Sequence, residues 1–246
     1  MTNQAVLDLP QYTWRPLPGA RPQIRPVQWI VHTAVSNASS LWNYFAGPSG
    51  GTDAHTYIRQ DGTAEQYRAA NTQANANGAA NRWWDTTTGE YQGAFSTETW
   101  DNANPEGTPW NEPQAATLVA TGLWLNREWN IPPAIPAGPY APGMGWHALH
   151  PVWSPAHHTC PGSLRIAQFR DDILPRIQTA IQTTPTNTGV NMPASTNLDI
   201  QAYVEKSYEL AGNTDPKGRR YWVRTAANAP DPLTVLAQMD KALGLA

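Results

Sequence analysis

The chain has 246 residues, of which 40% are hydrophobic and 14% are charged, and its net charge is −3. This length accommodates one mid-sized domain with a buried core and a smaller second segment. The charge gives no electrostatic reason to expect nucleic-acid binding, and no apolar run approaches the roughly 20 residues that a membrane span requires.

The first predicted elements are an extended segment, a strand and a helix. Residues 10–26 carry five prolines and indicate an extended lead-in. The apolar run at 27–33 predicts a buried strand. A helix is expected from Ser36 to Ala46, with Ser36 or Ser39 as its N-cap.

A β-hairpin and a further strand are predicted next. Asp61-Gly62 lies between the segments 54–59 and 63–68, and this dipeptide is a strong hairpin signal. Moderate alternation over 91–100 predicts the further strand.

Two longer helices follow in the second hundred residues. Glu112 to Asn130 has an apolar stripe at helical spacing, with Pro113 in its first turn. Another helix is expected from Pro161 to about Gln182, with a kink at Pro175. Strands interleaved with helices predict the α/β class, with a central mixed β-sheet flanked by helices.

The composition changes near the C-terminus. Residues 183–197 are rich in Thr, Asn and Pro, as is typical of a linker. We therefore expect one main domain at 1–182, followed by a small, mainly helical segment at 198–246 that is marginal as an independent fold.

Cys160 is the only cysteine of the chain, so it cannot form an intramolecular disulfide. Such a thiol is a buried apolar group, a nucleophile or a metal ligand. Histidines are concentrated at or just before it, and a further one, His32, ends the apolar run at 27–33. The four neighbouring histidines are His147, His150, His157 and His158. One thiolate and two imidazoles, with a fourth position open to water, form a catalytic zinc set.

The position of two of these residues supports a metal site. His32 is expected at the carboxyl end of a central strand, where α/β sheets place ligands. Pro161 is expected in the first turn of a helix, which would put the Cys160 sulfur at that helix N-terminus, where the dipole lowers the pKa of a thiol.

Four sequence blocks resemble those of a known family. They are 29–33 (Trp-Ile-Val-His-Thr), 54–63 around the hairpin, 94–98 (Ala-Phe-Ser-Thr-Glu), and 145–149 together with 159–162 (Thr-Cys-Pro-Gly). Together they resemble the zinc N-acetylmuramoyl-L-alanine amidases of phage endolysins, whose fold is shared with peptidoglycan recognition proteins. The resemblance covers residues 24–182, and its last block is the most specific.

The resemblance implies one zinc ion held by His32, His147 and Cys160, with His150 as the rival for the second ligand. It further implies that water activated by zinc cleaves the amide between N-acetylmuramic acid and L-alanine of peptidoglycan. Glu98 would be the general base, although a strand glutamate is also often a solvated or ion-paired residue.

Two departures from the family pattern bear on the other site residues. Many members have lysine two residues before the third ligand, where this chain has His158, so His158 is the candidate for the cation that stabilises the oxyanion. Some members have tyrosine where this chain has Ala54. Without that phenol, Glu98 becomes the stronger candidate for the catalytic residue. We expect His55 to be structural or substrate-binding. Trp84 and Trp153 are expected either to bind the glycan or to pack in the interior.

Two other functions compete with the amidase. One is a non-catalytic peptidoglycan-binding protein of the same fold. The other is a peptidase that uses Cys160 as a nucleophile with a histidine. The basic aromatic residues at 219–224 either bind a secondary cell-wall polymer or pack back on the main domain.

The place of action follows from the N-terminus and the resemblance. The N-terminus lacks the basic start and the apolar core of a signal peptide. We therefore expect a phage endolysin, made in the host cytoplasm and acting on the cell wall after release. Of the sixteen basic residues only three are lysines, and this arginine bias together with the block at 159–162 indicates an actinobacterial host.

Overall fold

A computed structural model of the chain describes residues 5–47, 51–104, 106, 108–154 and 159–183. All of these belong to the first of two units into which the chain divides, Met1–Pro185. His157, His158 and the segment 198–246 lie outside the described residues, so the predictions made for them stay predictions.

Seven strands form one mixed sheet. They are β1 (Tyr12–Trp14), β2 (Arg25–Val31), β3 (Thr56–Ile58), β4 (Ala64–Gln66), β5 (Trp83–Asp85), β6 (Glu90–Thr99) and β7 (Gly143–Trp146). Their order is β1-β4-β3-β6-β2-β7, and β5 pairs with the start of β6. The central neighbours β3, β6, β2 and β7 are parallel, whereas the β3–β4 hairpin and the β5–β6 pair are antiparallel.

Four α-helices accompany the sheet within the part of the chain that the structure describes. They are α1 (Trp42–Ala46), α2 (Glu112–Trp129), α3 (Ser163–Gln168) and α4 (Leu174–Thr183). Asn111 caps α2, because its side chain accepts a hydrogen bond from the Gln114 N–H and the Gln114 side chain accepts one from the Asn111 N–H. None of the described helices has the length and apolar character needed to cross a bilayer.

The core lies on both faces of the central strands, which explains why β2 is an almost continuous apolar run. On one face, Trp29 of β2 packs edge-on against Phe169, with ring centroids 5.7 Å apart, and both belong to the main apolar cluster with residues of α2 and α4. On the other face, Ile30 packs with Trp153 in a second cluster. The predicted α/β class, with a central mixed sheet flanked by helices, is confirmed.

The first helix is shorter than the sequence predicts. It begins at Trp42 rather than Ser36, and its N-cap is Leu41, without a capping side chain. The reason is a competing set of hydrogen bonds, because the Asp101 carboxylate accepts from the backbone N–H groups of Val35 and Ser36 at 3.1 and 2.8 Å. These bonds fix the chain after β2 in a non-helical path.

The last helix also differs from its prediction. It begins at Ser163, so Pro161 precedes the helix and does not lie in its first turn. The expected kink at Pro175 takes the form of a π-helical segment, Phe169–Ile173, directly before α4. A wider turn accommodates the missing N–H and the ring of a proline inside a helix.

Three strands, β1, β5 and β7, were not predicted, and β1 lies in the segment expected to be an extended lead-in. β5 has only three residues, too few to show a periodic pattern, and β7 contains two glycines, which are poor strand formers. The structure explains why position 143 is glycine, because its φ is +153° and a Cβ there would collide with the Ala134 carbonyl oxygen.

Candidate metal centre

The ends of two adjacent parallel strands bring two histidines together. His32 follows Val31, the last residue of β2, and His147 follows Trp146, the last residue of β7, while Val31 and Trp146 are partners in the sheet. Because parallel strands end at the same edge, the two imidazole rings meet there, with centroids 4.4 Å apart.

Cys160 reaches this edge from the loop before α3. Its Sγ lies 3.9 Å from His32 Nδ1 and accepts a hydrogen bond from the Thr33 backbone N–H at 3.3 Å. One donor atom from each of His32, His147 and Cys160 lies within 4.8 Å of the other two. Three residues that are far apart in the sequence therefore converge at one point, as a shared metal ion requires.

Hydrogen bonds set which nitrogen of each ring is available. His32 Nε2 lies 2.7 Å from Asn77 Oδ1, and His147 Nε2 lies 2.7 Å from the Trp153 carbonyl oxygen. Both partners accept, so each Nε2 carries the hydrogen and each Nδ1 keeps its lone pair. Outer partners of this kind are typical of metal-binding histidines, because they fix the tautomer and the orientation of the ring.

Burial sets the charge of two of the donors. It lowers the pKa of His32 well below 6.5, and His147 would lower it further if it were protonated, so the His32 imidazole is neutral and can ligate. Burial also raises the pKa of the Cys160 thiol, with the Glu98 carboxylate as the second cause. The expectation that a helix N-terminus lowers the pKa of this thiol is therefore wrong, since α3 begins three residues later.

Glu98 of β6 faces the same centre. Its Oε1 lies 3.9 Å from His32 Nδ1, and only 12% of its side chain is exposed. Burial raises the pKa of Glu98 to about 8, and the charge of Asp101 contributes in the same direction. Its Oε2 is buried without a hydrogen-bond partner among the described residues. A buried carboxylate oxygen without a partner is rare, and it is suited to receive a water or a substrate group.

An open groove leads to Glu98. It is a cavity of about 410 Å³ between the chain that follows β2 and the segment around α1. Its lining comprises Thr33, Ala34, Val35, Ser36, Ala38, Ser40, Leu41, Tyr44, Phe45, Thr52 and Glu98. Val35 and Tyr44 are the most exposed of its large hydrophobic side chains, at 58% and 61%. The groove gives a substrate access to Glu98.

A buried polar network holds the wall of this groove. Val35 has a φ of +47°, which is strained for a β-branched residue. The Asp101 carboxylate fixes this conformation through the Val35 N–H and accepts from the Thr33 hydroxyl at 2.6 Å. Arg165, 1% exposed, donates to the same Thr33 hydroxyl oxygen at 2.8 Å and to the Trp100 carbonyl oxygen at 3.0 Å.

This network ties α3 to the ends of β2 and β6, and thereby positions Thr33, whose N–H contacts the Cys160 sulfur. Sequence reasoning missed both Asp101 and Arg165. An available signal was the acidic residue directly after a predicted strand, and another was an arginine among the apolar positions of the last helix.

The remaining predicted site residues lie elsewhere. His150 is not part of the three-residue group, and its ring packs edge-on against Trp153. His55 is fully buried, with Nε2 2.8 Å from the Thr72 carbonyl oxygen and its ring stacked on Phe95. Its buried position supports a structural role for His55, and the expectation that it binds substrate is corrected.

The two tryptophans differ from each other. Trp153 is fully buried and donates its indole N–H to the Pro139 carbonyl oxygen, so the expectation that it binds glycan is corrected. Trp84 is exposed, but it lies in β5, which pairs with the start of β6, whereas the three donors lie near the end of that strand.

Comparisons with known proteins give distant structural similarities. No family model and no curated protein sequence matches the chain. The chain is similar to the solved N-acetylmuramoyl-L-alanine amidase LysC from Clostridium intestinale URNW, with 18% identity over 71% of this chain and 99% of that chain, at a TM-score of 0.48.

Two further solved structures show the same degree of likeness. A Se-Met AmpD derivative is 17% identical over 70% of this chain and 94% of its own, at a TM-score of 0.46. The drosophila peptidoglycan recognition protein SD is 12% identical over 64% of this chain and 88% of its own, at a TM-score of 0.47. Similarity at this level assigns no activity to the chain.

Proposed function

We propose that this chain is a zinc-dependent N-acetylmuramoyl-L-alanine amidase that hydrolyses peptidoglycan. The observation that carries the proposal is the convergence of His32, His147 and Cys160, whose donor atoms lie within 4.8 Å of one another beside Glu98. The sequence blocks that resemble the amidases contain these four residues, so the motif and the geometry indicate the same site.

The donor set fits zinc. Two neutral imidazoles and one sulfur are ligands that zinc prefers, and three protein ligands leave a position for catalysis. The burial that raises the pKa of Cys160 also means that its thiolate requires a nearby cation. When bound, zinc would supply Lewis acidity that polarises the amide carbonyl and lowers the pKa of water to about 7.

Glu98 moves the proton in this reaction. Its carboxylate accepts a proton from the attacking water, whose oxygen adds to the amide carbonyl carbon. The same carboxyl group then gives that proton to the L-alanine nitrogen as the carbon–nitrogen bond breaks. The products are a carboxylate on the lactyl group and a free amine on the peptide. The buried environment that raises the pKa of Glu98 makes it a stronger base than an exposed glutamate.

Two parts of the proposal concern residues outside the described ranges. His158 would be the cation beside the developing oxyanion, and residues 198–246 would bind a secondary cell-wall polymer. We also propose the biological role of a phage endolysin, made in the host cytoplasm and reaching the wall after release.

The test measures zinc content and wall digestion together. We expect the purified full chain to contain one zinc and to release free L-alanine amino groups from peptidoglycan. Cys160→Ser should lose both zinc and activity. Glu98→Gln should keep zinc and lose activity by about 10²–10⁴-fold, the range of general acid–base catalysis. His150→Gln is the matched control and should keep both.

Other outcomes would favour other functions. Activity that survives chelation but is lost in Cys160→Ser would indicate a cysteine peptidase and refute the amidase. Tight wall binding without release of amino groups would indicate a non-catalytic peptidoglycan-binding protein.

A further inference from the structure

An aromatic cleft lies at the start of β6, on a part of the surface that the proposed reaction does not use. β5 pairs antiparallel with this part of β6, and Trp84 is opposite Tyr91 in the register. The cleft has a volume of about 740 Å³. Trp84 and Tyr91 line the cleft and are 52% and 41% exposed, so part of each aromatic side chain faces solvent.

The two rings are held in place by their neighbours. They pack edge to face, with centroids 4.9 Å apart. The Arg82 guanidinium lies 3.2 Å from the Tyr91 ring centroid and covers that ring from one side. Because Tyr91 is fixed between Arg82 and Trp84, the rings need little ordering when a ligand binds, which reduces the entropic cost.

Polar side chains surround the rings. Arg25 and Glu90 form an ion pair at 3.1 Å, and both remain partly exposed, at 45% and 39%. The amides of Asn71 and Asn130 also line the cleft. These groups supply both donors and acceptors around an aromatic surface.

This combination is suited to a pyranose ring. The C–H face of a sugar stacks on an aromatic ring, while its hydroxyl and acetamido groups bond to amides and charged side chains. A purely apolar ligand would displace water from Arg25, Glu90 and the amides without offering them a hydrogen bond, which is unfavourable. The lining therefore favours a carbohydrate.

The cleft is separate from the metal centre. Tyr91 and Glu98 are seven residues apart on the same strand, so their side chains point to opposite faces of the sheet. The same spacing separates them by about 23 Å along the strand, at roughly 3.3 Å per residue. A sugar in this cleft is therefore not the one whose amide is cleaved.

We propose that the cleft is a second glycan-binding site, which anchors the enzyme to a β-1,4-linked N-acetylhexosamine strand. The identity of the glycan rests on the proposed function, because the peptidoglycan backbone is such a strand. Attachment at a second point raises the effective concentration of the metal centre at the wall.

The test titrates the full chain with chitotetraose, a soluble β-1,4-linked N-acetylglucosamine oligomer. In the wild type, we expect the indole N–H resonance of Trp84 to shift on titration, while that of Trp14 does not. Trp14 is the matched control, because it is 42% exposed and lies in β1, at the edge of the sheet.

Variants provide the second readout. Trp84→Ala should weaken chitotetraose binding by about tenfold, which corresponds to the loss of one stacked ring, and should raise KM for wall digestion. Trp14→Ala should behave as the wild type, and Trp84→Phe should recover most of the affinity. Circular dichroism confirms that each variant is folded.

The outcomes separate this proposal from the amidase proposal. Absence of a Trp84 shift in the wild type, or equal affinities of wild type and Trp84→Ala, would overturn the glycan site. Trp84-dependent binding without release of amino groups from the wall would support the site and refute the amidase. Release of amino groups without Trp84-dependent binding would support the amidase and refute the glycan site.

Discussion

The buried imidazole of His55 should make the stability of the fold depend on pH. Burial lowers the pKa of His55 from 6.5 to about 4, and the charge of Arg68 contributes in the same direction. The hydrogen bond to Thr72 and the charge of Asp53 oppose the shift, but they do not outweigh burial. His55 is therefore neutral in the folded protein at a pH at which the unfolded chain is already protonated.

The sign and size of this pH dependence follow from the linkage between proton binding and folding. Between pH 6.5 and about 4 the unfolded state binds more protons at this residue, so the free energy of unfolding falls as the pH falls. From pH 7.5 to 4.5 the loss due to His55 is about 2.5 kcal/mol, at 1.36 kcal/mol per pKa unit. Glu98 acts in the opposite sense. The pKa of Glu98 is raised to about 8, so its contribution to the free energy of unfolding is fully present below about pH 4.5 and is lost as the pH rises through 8.

Urea unfolding of the wild type and of His55→Gln at several pH values between 7.5 and 4.5 isolates the His55 contribution. The difference between the two proteins at each pH cancels the contribution of Glu98 and of every other group that they share. We expect this difference to change by about 2.5 kcal/mol across the range, with the wild type losing more stability on acidification. A pH-independent difference would show that His55 is not a buried neutral imidazole, and the reasoning would be refuted.

Other substitutions test the local structure. In thermal melts, Gly62→Ala should destabilise the protein by about 1–2 kcal/mol, because the φ of Gly62 is +82° and a Cβ would lie 2.6 Å from the Pro113 carbonyl oxygen. The control is Gly138→Ala, which should leave the stability nearly unchanged because a Cβ there would meet nothing within 4 Å. Asn111→Ala should cost about 1 kcal/mol in urea unfolding through loss of the α2 cap, and an unchanged stability would contradict the capping role. Arg165→Met should lower the free energy of unfolding by about 3–5 kcal/mol and reduce the zinc content. Arg165→Lys should not restore either property, because one ammonium does not replace a forked guanidinium. Normal zinc binding in either variant would show that the network does not position Cys160.

Much of the architecture was predictable from local patterns. The β2 run is apolar because a parallel strand is covered on both faces, so a single stretch of sequence reveals it. The β3–β4 hairpin and α2 carry their own local signals, Asp61-Gly62 at the turn and Pro113 in the first helical turn. Residue types and family blocks likewise singled out His32, His147, Cys160 and Glu98 before any tertiary contact was known.

Other features depend on pairing between distant segments, and local periodicity does not encode that pairing. The register of Val31 with Trp146 puts His147, and not His150, beside His32. Burial of His55 and Trp153 depends on what packs over them, and sequence alone had left both available for substrate. The sequence thus determined which side chains are chemically suited to the site, whereas the sheet register and the packing decided which of them meet, because contacts across the fold are set by the whole chain at once.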